Sequence, residues 1–251
     1  FMGVGAYVTE LLWNHLGGAN QVRVMLEGCG ICASNLPVWE GRDWFKYPLE
    51  AGSPGHEGWG IVDAVGPGVA DLEVGQRVAL MSGHAYAEYD IAERDCVVPL
   101  PEELDGEPFP GEPFGCVMNI FERSDIHDGQ TVAVVGGGFI GLMLTQLASD
   151  AGAHVVVLSH REWALQLALT MEAEDVIATK DDGHDAERAM QLTSNRGFDR
   201  VIEVSGVQSG LDLASDIAAE RARLIIAGYH QDGPRQVNMQ QWNWRGLDVI
   251  N

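Results

Sequence analysis

Gly136, Gly138 and Gly141 form a G-x-G-x-x-G spacing between an apolar run, Thr131–Val135, and a helical run, Phe139–Ala151. This context constrains the fold more than any other feature of the chain. A spacing of this kind, closing a buried strand and opening a helix, is what a dinucleotide-binding βαβ unit requires. The first glycine permits the tight turn, the second lets a pyrophosphate approach the backbone, and the third lets helix and sheet pack closely. The helix then offers its unpaired N–H groups, with Phe139 and Ile140 in its first turn, and the positive end of its dipole to the phosphates. The stretch 129–149 carries no charge, but its glycines and its change of character midway argue for strand, turn and helix rather than a membrane span.

Strand and helix alternate beyond that turn. Val155–Leu158 reads as a second strand, Val176–Ala178 as a third, Arg200–Val204 as a fourth, Arg223–Ala227 as a fifth and Leu247–Ile250 as a sixth. Helices are expected at Glu162–Ala173, Ala186–Asn195 and Leu211–Ala219. Six strands with helical crossovers imply a doubly wound parallel sheet. The chain before about residue 118 obeys a different grammar. Short apolar runs at Gln21–Glu27, Gly60–Val65, Gln76–Leu80, Ala85–Ile91 and Cys96–Leu100 are separated by glycine-rich turns, and Pro101–Glu112 reads as loop. Two domains are therefore expected, 1–120 and 121–251.

The acid that would hold the ribose hydroxyls should end the second strand, about 20 residues past the glycines. The residues there are Ser159, His160 and Arg161. A carboxylate would repel a 2′-phosphate, whereas this cluster can bind one, so NADP(H) is expected over NAD(H). Ligands bind at the carboxyl ends of such strands. Ser205, Gly228, Tyr229 and His230 are therefore expected on the nicotinamide side, with Trp242 and Trp244 as packing residues.

The net charge is −22, from 15 Lys and Arg against 37 Asp and Glu. Such a chain repels phosphate backbones and anionic membranes, so neither nucleic acid nor membrane is an expected partner. Hydrophobic content of 46% with 21% charged residues is enough for real cores. Cys29, Cys32, Cys96 and Cys116 are too sparse for a disulfide scaffold. No signal peptide is visible, and the expected compartment is the cytoplasm. The chain starts at Phe1 and stops at Asn251, just after Val249–Ile250, so both ends are expected to be cuts.

Several blocks in the first part belong together: Gly30-Ile31-Cys32-Ala33-Ser34, Gly55-His56-Glu57-Gly58 with Gly60 after it, Val74-Gly75-Gln76-Arg77-Val78 and Ala87-Glu88-Tyr89. With them, from about Val22 to Asn251, the chain resembles the medium-chain, zinc-dependent alcohol and polyol dehydrogenases, near the sorbitol and threonine dehydrogenase branch. The resemblance implies a β-rich, GroES-like catalytic domain followed by an α/β Rossmann domain. It implies an enzyme that transfers hydride between an alcohol or polyol, or its ketone or aldehyde, and a nicotinamide cofactor. Cys32 and His56 would be ligands of one catalytic zinc. Glu112, followed by Pro113, matches the acid-Pro ligand of the polyol branch, with Glu57 as a direct or exchanging ligand; Cys116 is the alternative to Glu112. Cys29 would be a packed residue, and Cys96 a core residue in a strand. The four-cysteine lobe of many relatives is absent from Val78–Tyr86, so no structural zinc is expected, and His84 reads as a loop histidine.

By the same resemblance Ser34 would relay the proton to or from the substrate oxygen. Two residues depart from the pattern. Asn35 stands where an acid usually orients the histidine ligand, and Pro37 where many relatives have a relay histidine. Trp39, Trp44, Phe45 and Tyr47 either wall the substrate pocket or pack as a hydrophobic loop. The resemblance also implies a homodimer or homotetramer, and a chain that continues past the last strand to complete the catalytic domain. These 251 residues alone would then be poorly stable, weakly active and exposed along one sheet edge. The alternatives are a zinc-free quinone or enone reductase of the same superfamily, or a nucleotide-binding protein without turnover.

Overall fold

The computed structural model describes residues 18–180 and 182–251. The start of the expected first domain, 1–17, lies outside the described residues. The chain divides into two compact units, the first ending at Gly115 and the second running Cys116–Asn251.

In the first unit five strands form one antiparallel sheet: β1 (Gln21–Cys29), β2 (Gly58–Val65), β3 (Arg77–Leu80), β4 (Tyr89–Glu93) and β5 (Val97–Pro99), in the order β4-β1-β2-β3-β5. The register pairs Val22 with Val65 and Ala92, and Val24 with Val62. Alternate side chains of a strand fall on one face. That face buries Val22, Val24, Val62, Val78, Leu80, Ala92 and Val97, joined by Val69 and Leu72 from the loop after β2. Each fully buried valine or leucine among them contributes about 1.5–3 kcal/mol by leaving water. Between β1 and β2 lie a 3₁₀ turn, Ala33–Asn35, and a one-turn helix, α1 (Leu36–Trp39). Pro37 near the start of α1 needs no N–H partner there. Trp39 is 89% exposed, so it does not pack as part of a hydrophobic loop.

Three expectations shift in this unit. The strand expected at Ala85–Ile91 is β4, four residues later at its start, because Ala85 donates its N–H to Gly55 in a loop contact. Cys96 ends a 3₁₀ turn just before β5 and is only half-buried. The expected loop Pro101–Glu112 ends in a helix, α2 (Gly111–Ser124), whose first turn contains Glu112.

The second unit holds six parallel strands: β6 (Thr131–Val135), β7 (His154–Ser159), β8 (Asp175–Ala178), β9 (Phe198–Glu203), β10 (Ala218–Ile226) and β11 (Asp248–Ile250). Their order is β11-β10-β9-β6-β7-β8, so the chain reverses direction of travel beside β6. This is the doubly wound order, and its crevice lies at the carboxyl ends of β6 and β9. The helices are α3 (Phe139–Asp150), α4 (Glu162–Thr170), α5 (Asp185–Leu192), α6 (Gln208–Ile217) and α7 (Met239–Arg245). Alternate strand residues feed two cores. Val132, Val134, Val155, Val157 and Ile202 meet Leu142, Leu144 and Ala148 of α3. Ala133, Val135, Val156, Leu158 and Val201 meet Ala189 of α5 and Ala214 and Ile217 of α6. Trp242 of α7 packs on the second core and donates its Nε1–H to Ser215 Oγ at 3.1 Å. Trp244 is 87% exposed and does not pack, against expectation.

Candidate functional site

In the first unit, β1 runs into Gly30, whose N–H is held by the Glu57 carbonyl at 3.0 Å. A Cβ on Gly30 would lie 1.9 Å from a Glu57 carboxylate oxygen, so a larger residue there would displace that carboxylate. Cys32 caps the following 3₁₀ turn, its sulfur accepting the Ser34 N–H at 3.5 Å. Across from it, His56 and Glu57 lead into β2. One ligand atom each of Cys32, His56 and Glu57 lies within 4.8 Å of the other two.

His56 Nδ1 sits 2.9 Å from the Pro54 carbonyl. A carbonyl only accepts, so the proton is on Nδ1 and the Nε2 lone pair is left for a metal. Glu57 is 7% exposed. Burial pushes its carboxyl pKa up, and the Glu112 carboxylate pushes it further; His56 and the Cys32 thiol act the other way. A thiolate, an imidazole and a carboxylate in a confined space, with a carboxylate disfavoured as an ion until a cation arrives, fit a zinc ion. Glu112 is half-buried and stands outside the three-residue cluster, although its charge is felt at Glu57. Cys116 is exposed and belongs to the other unit.

The surroundings differ from the sequence reading in one respect. Asn35 makes no hydrogen bond to the His56 ring. It donates from Nδ2 to the Pro54 carbonyl at 3.3 Å, the same oxygen that holds His56. Its Oδ1 accepts the Cys32 N–H at 3.0 Å and the Tyr86 hydroxyl at 2.8 Å. Sequence reasoning missed Tyr86 and the Pro54 carbonyl; a backbone oxygen leaves no mark in a sequence. Ser34 is half-buried beside Cys32. Cys29 is half-buried, hydrogen-bonds the Gly30 carbonyl at 3.4 Å, and is not in the cluster. His84 pairs with Glu50 at 3.0 Å in an exposed loop.

In the second unit, Gly136 follows β6 with a φ of +121° that favours glycine, and its N–H meets the Leu158 carbonyl at 2.9 Å. Gly138 caps α3 with no side-chain hydrogen bond, leaving the first N–H groups of the helix to a ligand. A Cβ on Gly141 would lie 2.0 Å from the Gly136 oxygen. Ser159 ends β7, its hydroxyl accepting the Arg161 N–H at 3.2 Å. His160 and Arg161 are exposed, and the Arg161 guanidinium has no hydrogen bond or ion pair among the described residues.

The expected nicotinamide-side residues gather on a carboxylate that the sequence reading passed over. Glu203, 0% exposed, ends β9. One of its oxygens accepts from the Ser205 N–H at 2.7 Å, the Ser205 hydroxyl at 2.5 Å and the Gly206 N–H at 2.9 Å. The other is 2.9 Å from His230 Nε2, and Arg235 Nε–H donates to His230 Nδ1 at 2.6 Å. Gly228 donates its N–H to the Glu203 carbonyl at 2.8 Å, and Tyr229 beside it is exposed. A lone acid closing an apolar strand was the available signal.

Two family models match the chain, in order: an alcohol dehydrogenase GroES-like domain over residues 18–106 and a zinc-binding dehydrogenase over residues 140–250. The chain belongs to the medium-chain, zinc-binding dehydrogenase family. An alcohol dehydrogenase of Geobacillus stearothermophilus is 30% identical over 195 residues, covering 64% of this chain and 57% of that protein. A quinone oxidoreductase of Sus scrofa is 26% identical over 242 residues, covering 92% of this chain and 70% of that protein. The crystal structure of galactitol-1-phosphate dehydrogenase from Escherichia coli superposes with a TM-score of 0.78 at 26% identity, covering 93% of this chain and 75% of that one. The family membership agrees with the antiparallel sheet followed by the doubly wound parallel one. Among the described residues no helix is long and apolar enough to cross a membrane.

Proposed function

We propose that the chain carries the metal and cofactor sites of a zinc-dependent oxidoreductase that moves hydride between a small alcohol or polyol and NADP(H), or the reverse from its ketone or aldehyde. The observation that carries this reading is the cluster of Cys32, His56 and Glu57, whose ligand atoms lie within 4.8 Å of one another. The zinc would supply Lewis acidity, lowering the pKa of a bound hydroxyl or polarising a carbonyl. One zinc per chain is proposed. Cys32, His56 and Glu57 would hold it, with Glu112 as the exchanging carboxylate and Cys116 as the alternative to it. The acids thus exchange the roles suggested by the family pattern.

The chain's own groups have definite tasks. The Pro54 carbonyl keeps the His56 proton on Nδ1, which keeps the opposite nitrogen available to a metal. Burial of Glu57 leaves it ready to bind a cation in place of a proton. Ser34 passes the hydroxyl proton between substrate and water. The turn at Gly136, Gly138 and Gly141, with Phe139 and Ile140, receives the pyrophosphate. Ser159, His160 and Arg161 hold the 2′-phosphate, while Ser205, Gly228 and Tyr229 border the nicotinamide. A nicotinamide cofactor held there would supply the hydride donor or acceptor.

Zinc quantification together with a screen of diols, polyols and amino alcohols against NADP and NAD tests the proposal. Stoichiometric zinc and alcohol-dependent NADP reduction are expected. The similarity to a quinone oxidoreductase supports a second reading. Zinc-free protein that reduces quinones with NADPH and oxidises no alcohol would replace the first reading with that one.

A further inference from the structure

Asn35, 9% exposed, is hydrogen-bonded by its side chain to both segments of the metal cluster, which stand 24 residues apart in sequence. Its hydrogen bonds leave no ambiguity about its orientation. Oδ1 must face the Cys32 N–H at 3.0 Å, because an amide NH₂ there would set donor against donor. Nδ2 must then face the Pro54 carbonyl at 3.3 Å, where a second oxygen would be repelled. Pro54 also accepts from His56 at 2.9 Å, so one amide sets the loop that carries the thiol and the loop that fixes the imidazole. Tyr86 closes the arrangement. Its hydroxyl reaches Asn35 Oδ1 at 2.8 Å and the Gly30 carbonyl at 3.1 Å, filling the second acceptor site of the amide. Gly30 in turn is held against Glu57.

We infer that Asn35 and Tyr86 are positioning residues for the Cys32 and His56 ligand pair, and that the amide works here because it can donate to Pro54. An acid at position 35 is therefore not an improvement in this chain. If residue 35 acted through charge, Asn35→Asp would bring a negative group toward the cation and tighten binding. If it acts through geometry, the same change sets a carboxylate oxygen against the Pro54 carbonyl and loosens both ligand segments. The sign of the effect separates the two. The inference rests on the zinc reading of the cluster.

The test is metal affinity on the full chain, read by competition between apo-protein and a zinc chelator and by the visible spectrum of the cobalt-substituted protein. Asn35→Asp and Tyr86→Phe are each expected to weaken zinc binding by about 10–100-fold, the usual effect of losing a partner of a ligand. The cobalt bands should shift while the apo-proteins melt as the parent does. Tyr86→Phe, which removes one oxygen and keeps the ring, carries the test if the Asp variant does not fold. Zinc binding that tightens in Asn35→Asp, or that matches the parent in both variants, overturns the inference alone. A parent that takes up neither zinc nor cobalt overturns the metal reading and the inference with it.

Discussion

The cysteines differ in readiness to react. Burial pushes the Cys29 thiol pKa up, and the nearby carboxylates of Glu57 and Asp90 add to that. Cys116 is exposed. Only the thiolate is nucleophilic, so iodoacetamide at mildly alkaline pH should label Cys116 before Cys29. Peptide mass spectrometry over a pH series should show Cys29 labelling climbing only above the ordinary thiol range. Equal labelling at low pH would contradict the buried thiol. Arg161 offers a second measurement. A hydrogen bond to a charged group contributes about 1.5–3 kcal/mol. Arg161→Ala should therefore raise KM for NADP roughly tenfold or more and leave KM for NAD unchanged; equal effects on both would remove Arg161 from the 2′-phosphate site. Residue identity and spacing were enough to pick out the glycine turn, whereas Cys32, His56 and Glu57 were singled out only through the resemblance to a known family. The sequence marked Asn35 as a departure from the family pattern but not its bond to the Pro54 main-chain oxygen, and it did not reveal Tyr86, which reaches Asn35 from 51 residues away.

At the scale of elements, the strands of the second unit were the most legible. A parallel sheet covered on both faces buries both faces of its inner strands, so Val-Ile-Leu runs mark those strands directly. Helices α2 and α7 were hidden for different reasons. The first begins Gly-Glu-Pro-Phe-Gly, a string of turn formers; Pro113 is tolerated only because it stands in the first turn. The second has seven residues, too few to establish a period, and is closed by Gly246 in the left-handed conformation. The β6–α3 turn supports a prediction. A Cβ at residue 141 would sit 2.0 Å from the Gly136 oxygen, which is main chain and cannot swing away. Gly141→Ala should lower stability by about 1–3 kcal/mol, as overpacking does, and abolish dinucleotide binding. A denaturant melt and a cofactor titration check it, and wild-type values in both would show that the turn can relax.

At the scale of the molecule the −22 charge sets the response to solvent. Self-repulsion opposes compaction and is screened by salt, so Tm should rise with sodium chloride; a falling Tm would mean that the ion pairs outweigh the repulsion. Acid relieves the repulsion by protonating carboxylates but also breaks ion pairs. The Arg94 hydrogen bond holds the Asp71 carboxyl below its usual range, and Arg188 does the same for Asp182. Pairs with depressed pKa values stabilise the fold above the ordinary carboxylate range and lose that effect as pH falls through their folded values. A melt series should therefore hold or gain slightly from neutral to mildly acidic pH, then drop within the carboxylate range. The tryptophans give the whole chain an optical property as well. Trp163 is exposed at the start of α4, two residues after Arg161. Indole emits where a reduced nicotinamide ring absorbs, so a cofactor settling against Ser159-His160-Arg161 would draw off the Trp163 emission by energy transfer. A cofactor bound there would thus have a lamp beside it, and its occupancy could be followed without a label.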